Sequence, residues 1–202
     1  MFTGCSNDNF TEKVYNSGDI SIDRIIIDVT DRNLEIMASE DDEIYIDYFD
    51  SDKEYLDIAF SNNQLTIKLL FNKNWTDFIG FKPSAEYRKI QIKIPTDTII
   101  DFSASTTNED IKITSLSFIG NVTLNSNGCN IICDHINVNK SINLTAKNGD
   151  ITGTILGTLD DFSTKCTIKK GKCNLPLNKE DGVKTFIADC NNGNIDIDFV
   201  KN

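Results

Sequence analysis

The sequence predicts an all-β protein whose C-terminal half is a right-handed parallel β-helix, or β-solenoid, of coils about 20 residues long. Three observations support this prediction. Apolar residues recur at an offset of 20, they alternate with polar residues inside each short segment, and Asn-Gly pairs separate the segments. Connections between parallel strands of one sheet are almost always right-handed, which sets the expected handedness.

The offset aligns apolar residues of successive segments into columns, and these columns predict three short strands in each coil. One coil cannot bury its apolar face alone, so the coils are expected to stack into parallel sheets. The aligned columns are Ile111, Ile131 and Ile151; Ile113, Cys133 and Gly153; Leu116, Ile136 and Leu156; Phe118 and Val138; Phe102, Val122, Ile142 and Phe162; and Ala104, Leu124, Leu144 and Thr164.

Turn residues recur between the predicted strands. Because Asn and Gly tolerate positive φ, the pairs predict corners in the left-handed conformation rather than ligand contacts. The pairs are Asn127-Gly128, Asn148-Gly149, Lys170-Gly171 and Asn192-Gly193.

The N-terminal half is rich in alternating apolar residues but lacks a regular repeat. We interpret it as wider coils, or as an antiparallel meander, that caps one end of the solenoid. The predicted organisation is a linker or remnant after a missing membrane anchor at 1–18, an irregular β part at 19–95 with an aromatic cap segment at 71–87, and regular repeats at 96–202.

The aromatic cap segment holds the candidate binding residues. Trp75 and Phe78 have helical spacing, and Phe81 follows them. One interpretation is an amphipathic turn packed over the open end of the core. The other is an exposed aromatic surface formed by Trp75, Phe78 and Phe81 that binds glycan, peptide or membrane.

The charge of the chain argues against nucleic acid as a partner. The sequence has 20 Lys and Arg against 31 Asp and Glu, a net charge of −11, which repels phosphate backbones. Between Glu35 and Asp57, ten carboxylates accompany only Lys53. This run lacks the Asp/Asn loop with a closing Glu of a calcium hand, so we expect a solvated acidic face and no metal site.

The residues that carry chemistry do not form a catalytic set. His135 is the only histidine, which excludes a multi-histidine metal site, and it is expected to point outward. Asp160-Asp161 is the best carboxylate pair for a polysaccharide-cleaving enzyme, but we expect both in a turn. Phosphate-binding loops are absent from the sequence, so we predict no enzymatic activity and no cofactor.

Cysteines, lysines and glycosylation-like sequences have structural interpretations. Cys133 and Cys173 lie in apolar columns and read as buried thiols, and no pair of the six cysteines has metal spacing. Four Asn-x-Thr sequences are attributed to turn chemistry, with Asn121 and Asn143 at repeat-related turns. A basic strip is expected to face solvent or an anionic envelope polymer; it comprises Lys165, Lys169, Lys170 and Lys172.

Several segments, in their order along the chain, resemble the bacterial putative-adhesin domain family of unknown function. They are Leu34-Glu35-Ile36, Ser39 to Asp42, Trp75 to Phe81, the repeated Asn-Gly-x-Ile and Gly157 to Phe162. The family is related to the head GIN domains of auto-transporter adhesins and to envelope-stress proteins of the LiaX type. The resemblance implies a β-helix outside the cytoplasm, often tethered by an N-terminal membrane segment.

The sequence therefore favours a non-enzymatic binding or sensing module of the cell envelope, whose partner is an envelope component, glycan or protein. We expect a monomer or small oligomer, with a membrane tether in the full-length protein. Phe2-Thr3-Gly4-Cys5 resembles the end of a lipoprotein signal, which agrees with a removed anchor. The alternatives are a scaffold that polymerises end to end and a polysaccharide-active lyase or hydrolase.

Overall fold

The computed structural model describes residues 9–72 and 82–201, and these residues are almost entirely in strands and turns. The strands are β1 Thr11–Asn16, β2 Arg24–Asp28, β3 Asn33–Ala38, β4 Tyr45–Asp50, β5 Glu54–Ser61, β6 Gln64–Phe71, β7 Lys89–Ile94, β8 Asp101–Thr106, β9 Ile111–Thr114, β10 Ser117–Phe118, β11 Asn121–Ser126, β12 Ile131–Val138, β13 Ser141–Asn148, β14 Ile151–Leu156, β15 Phe162–Lys170, β16 Asn178–Lys179, β17 Lys184–Asn192 and β18 Ile195–Val200. Short 3-10 helices cover Glu86–Arg88 and Leu159–Asp161. Within the described ranges no helix is long and apolar enough to cross a membrane.

Two large mixed sheets contain these strands, so the all-β prediction is confirmed. Sheet 1 has the order β1-β4-β7-β3-β9-β12-β14-β18, with β10 also paired to β12. Sheet 2 has the order β16-β15-β17-β13-β11-β8-β2-β6-β5. The inner strands pair in parallel, whereas β1, β4, β5 and β16 pair antiparallel near the sheet edges.

The predicted stacking of isoleucines is present in sheet 1. Ile131 lies between Ile111 and Ile151 in parallel register, and all three are fully buried. Cys133 lies in the same way between Ile113 and Gly153. Alternate residues of these stacked strands therefore point into one core between the sheets, as the sequence alternation predicts.

The predicted fourth members of two columns are wrong. Phe186, not Phe162, is the register partner of Ile142, and Ala188, not Thr164, is the partner of Leu144. In sheet 2, β17 lies between β13 and β15. The strand that contacts β13 is therefore β17, although β15 comes earlier in the sequence. The offset of 20 missed this because the connection after β15 is longer and β17 is inserted into the stack.

The predicted three strands per coil are also corrected. Among the described coils, a separate third strand occurs only in the coil that contains both β9 and β10. The equivalent residues form the single strand β12, in which His135 has a φ of 56° and the register shifts between Cys133 and Ile136. This β-bulge pairs Ile136 with Ile155, so the prediction of Leu156 in that column is wrong by one residue.

The predicted left-handed corners occur at some glycines only. Gly171 and Gly193 have φ values of 135° and 155°, but Gly128 and Gly149 are not among the positive-φ residues. Glycine at 149 has another reason, because a Cβ there would lie 2.3 Å from the Cys129 carbonyl oxygen. Close approach of successive coils, rather than backbone handedness, excludes a side chain at this corner.

A ladder of side chains ties the successive corners together. Asp110 Oδ1 accepts from the Asn130 backbone N–H at 2.8 Å, and Asn130 Oδ1 accepts from the Asp150 N–H at 2.9 Å. The pattern continues at the next corners. Asp150 Oδ1 accepts from the Asn194 N–H at 2.7 Å, and Asn194 Oδ1 accepts from the Lys172 N–H at 2.9 Å. The ladder satisfies corner N–H groups that the sheets leave unpaired.

The N-terminal part contributes inner and outer strands to both sheets. β2 pairs in parallel with β8 and with β6, and β3 pairs in parallel with β9 and with β7. Both sheets therefore contain strands from before Pro95 paired with strands from after it. Beyond these strands, Tyr87 stacks on Phe10 with ring centroids 4.7 Å apart and contacts Phe49 edge-on at 5.3 Å.

Candidate binding face

The outward side of sheet 2 carries an array of small polar side chains in its centre. The residues come from β8, β11 and β13, whose parallel registers align them in three rows. We call these nine residues the polar face: Asp101, Asn121 and Ser141; Ser103, Thr123 and Asn143; Ser105, Asn125 and Thr145.

The strand sequences explain why the face is flat and polar. Inward positions of the same strands hold buried apolar residues such as Phe102, Leu124 and Ile142, so the intervening residues must point outward. All nine outward side chains are half-buried, because short Ser, Thr and Asn side chains shield one another. Neighbouring residues within a row lie on adjacent strands, about 4.8 Å apart. Successive rows are about 6.6 Å apart along the strands.

Hydrogen bonds fix the first row in place. Arg24 Nη2 donates to Asp101 Oδ2 at 2.8 Å, and Asn121 Nδ2 donates to Asp101 Oδ1 at 2.9 Å. The Ser141 hydroxyl then donates to Asn121 Oδ1 at 2.7 Å. This series of hydrogen bonds crosses four strands and orients each side chain. The row therefore presents a preorganised set of donors and acceptors.

The one carboxylate of the polar face is held ionised and paired. The hydrogen bond from Asn121 lowers the pKa of Asp101, and the Arg24 guanidinium lowers it further, against the opposing effect of partial burial. Arg24 therefore neutralises the only charged group among the nine residues. The exposed carboxylates of Asp28 and Asp189 flank the third row, in register with Ser105 and Thr145.

A shallow groove lies over this part of the sheet. It has a volume of about 140 Å³ and is lined by outward side chains that include Arg24, Ile26, Ser103 and Thr123. The groove offers an extended contact rather than an enclosed pocket. Such a shape suits a polymer that lies across the strands better than a small molecule that needs enclosure.

A larger cleft of about 300 Å³ lies beside the connection between β1 and β2. Its floor includes Ile22, Ile44 and Pro95, and Asp19 and Asp42 lie on its rim. Among residues 9–72 and 82–201, no group of three or more His, Cys, Asp and Glu is placed to hold a metal ion.

The structure describes some of the sequence-predicted candidates and not others. Trp75, Phe78 and Phe81 lie outside the described residues, and the surface proposed for them stays a prediction. His135 is exposed, as expected, and its Nδ1 lies 2.6 Å from Asp134 Oδ1.

The carboxylate pair lies in a turn, as expected. Asp161 Oδ2 accepts from the backbone N–H and the hydroxyl of Thr158, at 2.7 and 3.0 Å. These bonds lower the pKa of Asp161, and Asp160 projects into solvent with 94% exposure. A general acid for glycoside hydrolysis needs a raised pKa, and the pKa of Asp161 is shifted in the opposite direction.

The acidic run is not entirely solvated, which corrects the prediction for Glu54. Its side chain is 2% exposed and pairs with the equally buried Arg32, with Nη2 and Oε1 2.6 Å apart. Asp41, Asp42, Asp52 and Asp57 remain exposed. One member of the run thus stabilises the fold, while these four contribute to the negative surface.

The sequence interpretation missed the polar face. Asn121 and Asn143 lie in strands β11 and β13, so their assignment to turns is wrong. They occupy different rows, since Asn121 pairs with Ser141 and Asn143 with Thr123. The signal was the polar half of the alternation, where uncharged Ser, Thr and Asn recur although the chain has a net charge of −11.

Comparisons with known proteins give a family and a fold. The sequence profile of the Toastrack DUF4097 family matches residues 22–154, and a search of curated proteins found no match. A putative cell adhesion protein from Clostridium sporogenes has a similar structure, with a TM-score of 0.65 at 13% identity over 95% of this chain and 100% of that chain. A putative adhesin from Bacteroides fragilis aligns over 93% of this chain and 97% of that chain, with a TM-score of 0.37 at 14% identity.

Proposed function

This chain belongs to the Toastrack DUF4097 family, and on that premise we propose that it is a non-enzymatic binding module of the bacterial cell envelope. In this proposal the polar face binds a neutral, hydroxyl-rich glycan. The strands form a right-handed parallel β-helix, and the module is displayed outside the cytoplasm, tethered by a membrane anchor in the full-length protein.

The predominance of uncharged side chains on the polar face is the observation that carries the proposal, since eight of its nine residues are Ser, Thr or Asn. The chain has a net charge of −11, yet the nine residues of the face include only Asp101 as a charged group, and Arg24 pairs with it. A polyanion would be repelled by the rest of the surface. A polycation would be drawn to exposed carboxylates such as Asp42 and Asp52 instead.

The chemistry of the face matches the chemistry of a neutral glycan. Hydroxyl groups donate and accept, and amide side chains do both through separate atoms, so the rows can bond sugar hydroxyls in either direction. The hydrogen bonds from Arg24 to Ser141 hold the donors and acceptors of the first row in place before binding. This preorganisation reduces the entropy lost on association. The array also repeats along two directions, as a repeating polymer requires.

The similarity to the Clostridium sporogenes protein supports the proposed setting. That protein is described as a putative cell adhesion protein and shares the fold over its whole length. A surface role for this chain extends that description. Expression of the full-length protein with a surface-labelling assay on intact cells tests the location separately from the binding.

The binding test compares matched substitutions on the two sheets. Thr123→Lys places a long charged side chain in the middle of the polar face, whereas Thr152→Lys places the same side chain outward on β14 of sheet 1. Each purified protein is sedimented with insoluble cell-wall glycan from which anionic polymers have been removed. We expect Thr123→Lys to lower the bound fraction at least tenfold and Thr152→Lys to leave it unchanged.

Two outcomes would overturn the proposal. One is failure of the unmodified protein to co-sediment with any neutral wall glycan or with intact envelopes. The other is equal binding by both variants, which would place the contact elsewhere. Circular dichroism of each variant checks that the strands remain folded.

Opposite charges at the two ends of sheet 2 favour a second candidate, an end-to-end scaffold. Exposed Asp52 and Asp57 lie at or beside β5, the strand at one end. Exposed Lys165 and Lys169 lie on β15, which is next to the short end strand β16 at the other end. A copy could therefore meet the next through complementary edges, which is a heterologous contact that forms filaments. Light scattering at rising protein concentration separates the candidates: a scaffold grows and shrinks again in high salt, whereas a binding module keeps a constant mass.

A further inference from the structure

Asn-Gly pairs recur at corners of the stack, and they differ in how the glycine nitrogen is held. Glycine has no side chain to shield its nitrogen, so this nitrogen can attack the amide carbon of a preceding asparagine. Hydrogen bonds to either group oppose the attack, because they must break first. The three pairs are Asn127-Gly128, Asn148-Gly149 and Asn192-Gly193.

Two of the pairs are held by hydrogen bonds to neighbouring strands. The Gly149 N–H donates to the Asn192 carbonyl of β17, and the Gly193 N–H donates to the Lys170 carbonyl of β15, each at 3.0 Å. The amides are held as well, since Asn192 Nδ2 donates to Asn148 Oδ1 at 2.7 Å. Attack by either glycine nitrogen therefore requires these bonds to break.

The remaining pair lacks these restraints. Asn127 is exposed and follows the end of β11. Among residues 9–72 and 82–201, no group bonds the Asn127 side chain, and no acceptor receives the Gly128 N–H. The Asn127 backbone is nevertheless fixed, because its N–H donates to the Thr106 carbonyl at 3.2 Å and its carbonyl accepts from Asn148 Nδ2 at 3.1 Å. The two reacting groups are thus free at an ordered corner.

We propose that Asn127-Gly128 is a self-modification site, at which cyclisation converts Asn127 into isoaspartate or aspartate. The Gly128 nitrogen loses its proton and attacks the Asn127 side-chain amide carbon. A new carbon–nitrogen bond forms, the bond to the amide nitrogen breaks, and this nitrogen leaves with the proton as ammonia.

Water completes the reaction by opening the succinimide ring that remains. Addition of water to the backbone carbonyl of the ring gives isoaspartate, and addition to the side-chain carbonyl gives aspartate. In both cases the ring carbon–nitrogen bond breaks, the Gly128 nitrogen regains its proton, and a carboxylate forms. Water is the only co-reactant, and no oxidant or reductant is needed.

The corner retains its contact with β13 in the main product. In isoaspartate the backbone runs through the former side chain, and the former Asn127 carbonyl becomes part of a free carboxylate. Asn148 Nδ2 donates to this carbonyl oxygen in the unmodified protein and has a carboxylate oxygen to donate to afterwards. The modification therefore adds one negative charge at the surface without removing this hydrogen bond.

The test is incubation of the full folded chain in mildly alkaline buffer, followed by tryptic peptide mapping. Trypsin cuts between the pairs, after Lys140 and Lys165, so each pair lies in its own peptide. The peptide with Asn127 should gain the mass that replacement of NH2 by OH adds, and it should separate into isoaspartate and aspartate forms. Two hydrogen bonds of ordinary strength correspond to roughly tenfold in rate, so this peptide should react at least about tenfold faster than the other two.

The unfolded chain is the internal control. In guanidinium chloride the hydrogen bonds of the corners are lost, and the three pairs should react at similar rates. Incubation of the folded sample is continued until the unfolded sample has reacted.

Matched variants change the asparagine, because Gly128 tolerates no side chain. A Cβ at Gly128 would lie 2.7 Å from Asn108 Oδ1 and 2.9 Å from the Thr107 carbonyl oxygen. Asn127→Gln keeps an amide but moves it one methylene away from the Gly128 nitrogen, so the acidic species of the folded protein should disappear. Asn192→Gln makes the same change at a restrained pair and should leave that species in place.

Either of two results would overturn the inference. One is modification of the restrained pairs in the folded protein at a rate equal to or above that of Asn127. The other is an unreacted Asn127 in the folded protein after all three pairs have reacted in the unfolded chain.

Discussion

Arg32 Nη2 donates to Glu54 Oε1 at 2.6 Å, and the two side chains are 3% and 2% exposed. Arg32 lies in the corner between β2 and β3, and Glu54 begins β5. Thr106 bonds the backbone of Arg32 on both sides, donating to its carbonyl at 2.7 Å and accepting from its N–H at 3.3 Å. The ion pair therefore connects the antiparallel pair of β5 and β6 to the corner between β2 and β3.

Removing one charge of this pair should destabilise the protein strongly. Glu54→Gln leaves the Arg32 charge buried without its carboxylate, which costs about 3–5 kcal/mol. Glu35→Gln is the matched control, because the Glu35–Lys89 pair has the Lys and Glu side chains 44% and 32% exposed. The control should cost less than about 1 kcal/mol. Urea unfolding measures both, and equal small losses would contradict a structural role for the buried pair.

The corner ladder predicts a second difference in stability. Asn130→Ala removes the acceptor for the Asp150 N–H and should cost about 1–3 kcal/mol, because that donor loses its partner. Asn139→Ala, at an exposed turn position, should cost less than about 0.5 kcal/mol. If thermal unfolding shows the two variants equally stable, the ladder contributes nothing.

Glycines at different places in the stack should differ in their tolerance of a side chain. Gly153 has a φ of 133°, and a Cβ there would lie 1.6 Å from the Cys133 carbonyl oxygen. Gly153→Ala should therefore prevent close stacking of β12 and β14 and lower the yield of folded protein. Gly18 has a φ of 58° with no atom within 4 Å of its Cβ position, so Gly18→Ala should cost only about 1–2 kcal/mol of backbone strain. A folded Gly153→Ala variant as stable as Gly18→Ala would contradict the packing at this contact.

The pKa of Asp101 predicts an acid-dependent contribution to stability. Hydrogen bonding from Asn121 lowers the folded-state pKa below the unfolded value of about 3.9. The stabilisation is therefore complete above about pH 5 and is lost as the pH falls through the folded pKa. The melting temperature of the unmodified protein should exceed that of Asp101→Asn at neutral pH, and the difference should shrink in acid. A difference that grows as the pH falls would contradict the sign of the shift.

Much of the stack was predictable from the sequence because successive coils have equal length there. The partners Ile111, Ile131 and Ile151 follow from the offset of 20. The predictions for Phe162 and Thr164 are wrong because they assumed that strands stack in chain order. A long connection lets β17 enter between β13 and β15, and periodicity carries no information about such an insertion.

The candidate site was less predictable for a different reason. Apolar periodicity identifies the buried side chains, such as Phe102 and Val122. It does not indicate which outward side chains lie next to one another. Asn121 and Asn143 were assigned to turns because Asn is common there. Only the register of β8, β11 and β13 shows that they belong to one surface of small polar side chains.

The most direct test of the glycan-binding proposal is a titration of the labelled protein with neutral wall oligosaccharides, followed through the side-chain amide signals of asparagine in NMR spectra. Glycan binding at the polar face predicts saturable shifts for Asn121, Asn125 and Asn143, with Asn130 and Asn194 of the corner ladder unchanged. Unmoved signals on the polar face at saturating oligosaccharide, or shifts confined to the corners, would contradict it.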